Sequence, residues 1–312
     1  MSSKTAQPPG RNGQQAYNSI VYHDELLRIG LFRCQPWEDL FRDDTRAMGR
    51  YLVFPHTGVF ITPEGGETLV ADPTVVMFYN KHQSYRRAKL SENGDACAYF
   101  EFAPEVLCDV LPRYDPARDD RPDYPFPVNR GPSDAHSYLL HRLVLAHIER
   151  ERSPDSLFVQ ETMIEVLERI LDNVYPQRQT NGATAATRRA HAALVRDVQS
   201  LLATQFQAPL TLQQIAALLH VSPYHLCRVF RRQTGFSIHQ YRNDLRLRVA
   251  LEHVLDGATD LGALALTLGF ANHSHFSKAF RLLFDATPSD LRDVRAERAA
   301  SSLRQMSKNL TV

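Results

Sequence analysis

Apolar and polar positions change period twice along the chain, and the changes divide it. From about Tyr17 to Phe102, short runs rich in Val, Ile, Phe and Tyr alternate with turn signals. The runs are Leu26 to Phe32, Tyr51 to Phe54, Val59 to Ile61, Leu69 to Val70, Val75 to Tyr79 and Ala98 to Phe102. Thr57-Gly58, Pro63 to Gly66, Asp72-Pro73 and Glu92 to Asp95 separate them. Short strands at this spacing predict a β-sandwich or a small barrel. The period then becomes helical. Ser133-Asp134 caps a stretch carrying Leu139, Leu140, Leu143, Val144 and Ile148, and Ser153-Pro154 opens another carrying Met163, Val166, Leu167, Ile170, Leu171 and Val174. The second stripe recurs at 0, 3, 4, 7, 8 and 11 and must bury a face, against the barrel or against a second copy of itself. Met163, Leu167, Ile170 and Leu171 are its dimerisation candidates.

Residues 176–190 lose all periodicity and are read as a linker. Beyond them the chain repeats itself. Ser222 to Arg231 and Asn272 to Arg281 match at an offset of 50 residues. Each has a capping residue, a large apolar residue four on (Leu226, Phe276), a basic residue (Arg228, Lys278), a small apolar one (Val229, Ala279), then Phe and Arg. A short helical pattern and a tight turn precede each copy, which predicts two helix-turn-helix units. Leu226, Val229, Phe230 and their counterparts must face inward. Tyr224, His225, Cys227, Arg228 and Arg231 then face out in the first copy, with His273, Ser274, His275, Ser277, Lys278 and Arg281 in the second. A helix presenting such residues suits the major groove, where its first turn meets base edges and basic residues reach guanine or phosphate. Ile238 to Leu255 joins the copies. At about 1.5 Å per residue it spans about 27 Å, comparable to the roughly 34 Å between major-groove faces on one side of a duplex.

Charge sharpens this reading. The 312 residues sum to only +1, but residues 187–298 hold 14 Lys and Arg against 9 Asp and Glu, a surplus of +5, leaving −4 elsewhere. At 43% hydrophobic and 23% charged the chain folds, and its length allows two cores. No apolar run reaches a membrane span, and Met1 to Gln15 has no hydrophobic segment of a signal peptide, so a cytoplasmic protein without a membrane partner is expected. Cys34, Cys97, Cys108 and Cys227 show no C-x-x-C pairing and are read as reduced thiols. Cys227 is read as a small filler near the backbone.

The C-terminal third resembles the AraC/XylS family of bacterial transcription regulators. The resemblance rests on Leu212 to Leu226, Phe230 to Gly235, Arg246 to Ala250, Leu268 to Phe280 and Thr287 to Arg292. It implies a cupin-like N-terminal barrel that senses a small molecule, helices that dimerise, and a C-terminal all-α domain with two helix-turn-helix units, an α+β protein overall. The divisions are then an arm at 1–16, the sensing and dimerisation domain at 17–175, the linker at 176–190, the DNA-binding domain at 191–298 and a tail at 299–312. By the family's pattern, Tyr224, Cys227, Arg228, His273, Ser274 and Lys278 read bases. Asp285 stands where the family has glycine after the second reading helix, which predicts a differently shaped corner.

His56 and His82 stand alone in the barrel region, and His273 and His275 lie on different helix faces, so no metal and no cofactor is expected. Alternation offers Phe54 and His56 on one strand and Phe78, Asn80 and His82 on another, with Tyr85 and Tyr99 nearby, as ligand contacts. The expected function is an effector-controlled, sequence-specific regulator of promoter DNA, acting as a homodimer and as an activator alongside RNA polymerase. A constitutive regulator whose first domain only dimerises is the alternative. A DNA-tethered enzyme is the third, and the sequence shows no Gly-rich phosphate loop, no G-x-S-x-G and no C-x-x-C to support it.

Overall fold

The computed structural model describes residues 17–38, 41, 44–115, 124–151, 154–175 and 185–296. The expected arm, the expected tail and 176–184 of the expected linker lie outside them. Among the described residues, ten strands form two sheets. One has the order β1 (Tyr17–His23), β2 (Leu27–Cys34), β9 (Asp95–Phe102), β4 (Tyr51–Pro55), β7 (Val75–Tyr79) and β10 (Arg130–Pro132). The other has the order β3 (Thr45–Arg46), β8 (Ser84–Ala88), β5 (Val59–Pro63) and β6 (Leu69–Ala71). All pairings are antiparallel.

The larger sheet is buried on both faces, and this decides where its side chains go. Val53, Met77 and Tyr79 join a core between the two sheets. Leu52, Phe54, Phe78 and Phe100, one residue out of step, join a second core under the helices. That second face is covered by α2 (Ala135–Arg150) and α3 (Ser156–Val174), which follow α1 (Pro104–Val110) and a 3₁₀ turn at Leu111–Arg113. Asp134 caps α2 by accepting from the Ser137 amide, and Asp155 caps α3 by accepting from Phe158. Met163, Leu167, Ile170 and Leu171 are fully buried within the single chain. The dimerisation role expected of them is therefore corrected: α2, β10 and the sheet already cover the stripe.

Among the described residues, seven further helices follow: α4 (Ala185–Gln205), α5 (Leu212–Leu218), α6 (Pro223–Thr234), α7 (Ile238–Leu255), α8 (Leu261–Thr267), α9 (His273–Phe284) and α10 (Pro288–Ala296). Helix α4 starts inside the stretch read as linker. Its Val195, Val198 and Leu202 build a small core with Ile215, Leu226, Phe230 and Tyr241. The second half of α7, α8 and α9 instead join the core of α2 and α3. The apolar division thus falls within the C-terminal domain rather than at the linker.

Polar ties cross the same joint. Arg248 of α7, 1% exposed, donates to the carbonyls of Pro73 (3.0 Å) and Ser133 (2.7 Å), pairs with Asp244 and lies over the Tyr138 ring. Tyr138 donates to Glu252 at 2.9 Å, and Arg142 sits 2.9 Å from the same carboxylate. No helix among the described residues is long and apolar enough to cross a membrane.

Candidate nucleic-acid interface and effector cavity

The two helix-turn-helix units repeat down to their caps. Thr211 accepts from the Gln214 amide to start α5, and Asp260 accepts from Ala263 to start α8. In the turns, His220 and Gly269 take positive φ (54° and 82°), and Val221 and Phe270 donate back to Ala216 and Ala265, both at 3.0 Å. These features match at an offset of 49. Beyond the turns the offset is 50, so the second turn is longer by one residue. Ser222 accepts from His225 at the start of α6, and Asn272 from His275 at the start of α9. The ends match too. Gly235 (φ 80°) and Asp285 (φ 52°) are both left-handed, and their amides close on Arg231 and Arg281. The corner expected to differ at Asp285 is thus the same corner, held by a residue that pays for the left-handed backbone.

Leu226, Val229 and Phe230 of α6 and Phe276 and Phe280 of α9 are buried, which turns the opposite faces outward. Cys227, Arg228 and Arg231 are exposed on α6, and His273, Ser274, His275, Lys278 and Arg281 on α9. Two expected readers are less free. His225 is half-buried, its ring 5.9 Å from that of His191 on α4, and Ser277 is half-buried with its hydroxyl 3.3 Å from His273 Nε2. The Tyr224 side chain lies outside the described residues. Arg228, Arg231, Lys278 and Arg281 form no ion pair among the described residues and are available to phosphate or guanine. Arg232, exposed beside Arg231, was not among the sequence candidates. The charge surplus overstates this face, because three arginines serve the fold. Arg242 donates to the Leu210 carbonyl, Arg246 to Phe206, and Arg248 crosses the joint. Burial lowers the Arg246 guanidinium to about 10.

Residues 215–294 match the sequence family described as a helix-turn-helix domain. The C-terminal domain is of the AraC/XylS type. This AraC/XylS-type domain is 33% identical over 117 residues to the HTH-type transcriptional regulator GlxA of Rhizobium meliloti, covering 38% of this chain and 35% of that one. Over 103 residues it is 28% identical to the regulatory protein SoxS of Escherichia coli K12, covering 33% of this chain and 96% of SoxS. The chain spans less than half the length of GlxA and of the regulatory protein PocR of Salmonella typhimurium. Among solved structures, a probable AraC family transcriptional regulator from Rhodopseudomonas palustris matches 33% of this chain and 97% of its own at 30% identity and a TM-score of 0.32. Unsaturated fatty acid-bound ToxT from Vibrio cholerae matches 87% and 96% at 11% identity and 0.33.

A cavity of about 240 Å³ lies between the two sheets. Tyr51, Val53, Met77, Tyr79, Tyr85 and Tyr99 are in its wall. Tyr85 and Tyr99 had been named from the sequence; the other five candidates do not line it. Phe54 stacks on the His141 ring at 4.1 Å, and Phe78 packs on Phe126 at 5.2 Å. Asn80 binds the backbone of Phe126 in both directions. His56 meets His141 edge to edge, their Nε2 atoms 3.4 Å apart, and His82 is an exposed turn residue with φ 68°. One cause keeps four of these five from this cavity. Phe54, His56, Phe78 and Asn80 have the wrong parity, and in a sheet a shift of one residue moves a side chain to the other face. Burial lowers His56 to about 4, and burial with the neighbouring His56 holds His141 well below its ordinary value. Among the described residues no group of three His, Cys, Asp or Glu could hold a metal ion.

Proposed function

We propose that the chain is a sequence-specific DNA-binding transcription regulator whose α6 and α9 enter successive major grooves, with DNA affinity set by a small effector in the barrel cavity. The observation that carries this reading is the pair of matched, capped helices, each turning unpaired cations and polar side chains to solvent from a buried apolar back. Helix α7, 18 residues and about 27 Å long, lies between them in the chain, a length comparable to the roughly 34 Å helical repeat of DNA. The effector half is supported by the cavity and by the turn that joins it to α7. β6 and β7 contribute Ala71 and Met77 to the cavity wall, and the turn between them binds Tyr241 and Arg248. Activation, RNA polymerase as a partner, and a cytoplasmic location extend this reading through the family resemblance.

Footprinting on fragments of the source genome tests the reading. Two protected half-sites one helical turn apart at physiological salt are expected, whereas binding without sequence preference overturns it. Run-off transcription from a protected promoter then separates activation from repression.

A further inference from the structure

The wall of the cavity contains one buried pair of charges, and that pair is closed on itself. Arg87 of β8 is 5% exposed in its side chain and Asp95 is 7%. Arg87 Nε donates to Asp95 at 2.7 Å, Nη1 to the Thr45 hydroxyl at 2.6 Å and Nη2 to the Tyr85 hydroxyl at 2.8 Å. Its guanidinium lies 4.6 Å from the centre of the Phe32 ring. The other cation in the wall, Arg46, is exposed and donates to the His82 carbonyl. A buried guanidinium and carboxylate in contact cancel each other, so an entering carboxylate must displace Asp95 and an entering ammonium must displace Arg87. Either exchange leaves a buried charge uncompensated, which costs more than the new contact returns.

Beside this pair, the hydroxyls of Tyr79 and Tyr85 can receive a ligand. Tyr85 accepts from Arg87 and keeps its own proton to donate. Tyr79, 7% exposed, makes no hydrogen bond among the described residues. Around them the rings of Tyr79 and Tyr85 (centroids 4.5 Å apart) and of Tyr51 and Tyr99 (5.2 Å) stand tilted or edge-on, with Met77 in the same wall, a lining suited to another ring. A cavity of about 150 Å³ already admits benzene, so about 240 Å³ admits one ring with a short substituent.

We propose that the cavity binds an uncharged, one-ring aromatic molecule bearing an acceptor oxygen that meets the Tyr79 and Tyr85 hydroxyls, and that the Arg87–Asp95 pair excludes charged analogues. The proposal rests on the cavity being the effector site. Calorimetric titration of the full chain with acetophenone, benzoate, benzamidine and cyclohexyl methyl ketone tests it. Acetophenone binds tightest, with the two ions weaker by about tenfold or more. Asp95→Asn frees the Arg87 charge and lets benzoate overtake acetophenone. Tyr79→Phe, which keeps the ring and the fold, weakens acetophenone severalfold and leaves toluene unchanged. Tighter binding of either ion to the wild type, equal binding of the cyclohexyl ketone, or no binding of acetophenone overturns the proposal. Binding in the expected order with no change in DNA affinity leaves the ligand class standing and removes the regulatory reading instead.

Discussion

The Tyr241 hydroxyl donates to Asp72 at 2.5 Å, joining the helix between the two helix-turn-helix units to the turn between two strands of the cavity wall. Thr74 completes the cluster, donating to the same carboxylate at 2.6 Å, and both Asp72 and Tyr241 are buried. Burial raises the Asp72 carboxyl, and the hydrogen bonds from Thr74 and Tyr241 oppose that rise. Tyr241→Phe keeps the ring against Phe230 and removes the donor. Denaturant unfolding should show a loss of about 1–3 kcal/mol, the cost of a buried acceptor left short of a partner. In an anisotropy assay the same variant should respond less to ligand in its affinity for DNA.

The exposed cations of α6 divide by position. Arg228→Ala, one turn into the helix, should relax base preference at one half-site at a cost of about 1–3 kcal/mol. Arg231→Ala should weaken binding to all sequences alike and lower the slope of log affinity against log salt by about one. Titrations of matched and mismatched half-sites at three salt concentrations distinguish the two behaviours.

Leu167 and Leu171 are core, so replacing both with Glu places two carboxylates under the sheet. The variant should lose more than about 4 kcal/mol and accumulate as insoluble protein. A soluble, folded monomer from the same change would return the stripe to an interface role.

Asp285 and Gly235 occupy the same left-handed corner. Asp285→Gly should stabilise the chain by about 1 kcal/mol by relieving the backbone, and Gly235→Ala should destabilise it by a similar amount. Thermal unfolding of the two variants reads both signs.

His56 and His141 stay neutral in the folded chain because burial holds both below their ordinary value. The unfolded chain protonates them below about pH 6.5. The unfolded state therefore binds more protons from there down to about 4, and stability falls as the pH falls through that window. The raised Asp72 carboxyl contributes with the opposite sign. His56→Gln should flatten the slope of unfolding free energy between pH 6.5 and 4.

The helices were legible because a 3.6-residue stripe specifies both the element and its buried face. α2, α3 and the repeated pairs all stand where that period put them. The barrel strands were legible as strands but not as to face. In Tyr51–Pro55 and Val75–Tyr79 both parities are apolar, since the sheet is covered on both sides, and alternation then carries no sign. β8 is absent from the runs named from the sequence because Arg86 and Arg87 interrupt its apolar pattern, although Arg87 turns inward to Asp95. The burial of Arg248 is likewise invisible in the local sequence. Its carbonyl partners at Pro73 and Ser133 lie far away in sequence, and no local pattern announces them.

The core shared by α2, α3, α7 and α9 means that the molecule cannot be cut where its composition changes. A fragment starting at α4 would keep both reading helices, yet Arg248 would lose two carbonyls, Tyr241 its carboxylate, and Glu252 both Tyr138 and Arg142. The apolar sides of α7 and α9 would lose their cover at the same time. Severability is thus a property of the first helix-turn-helix unit, which keeps its small core intact, and not of the second, which is built into the foundation of the N-terminal domain.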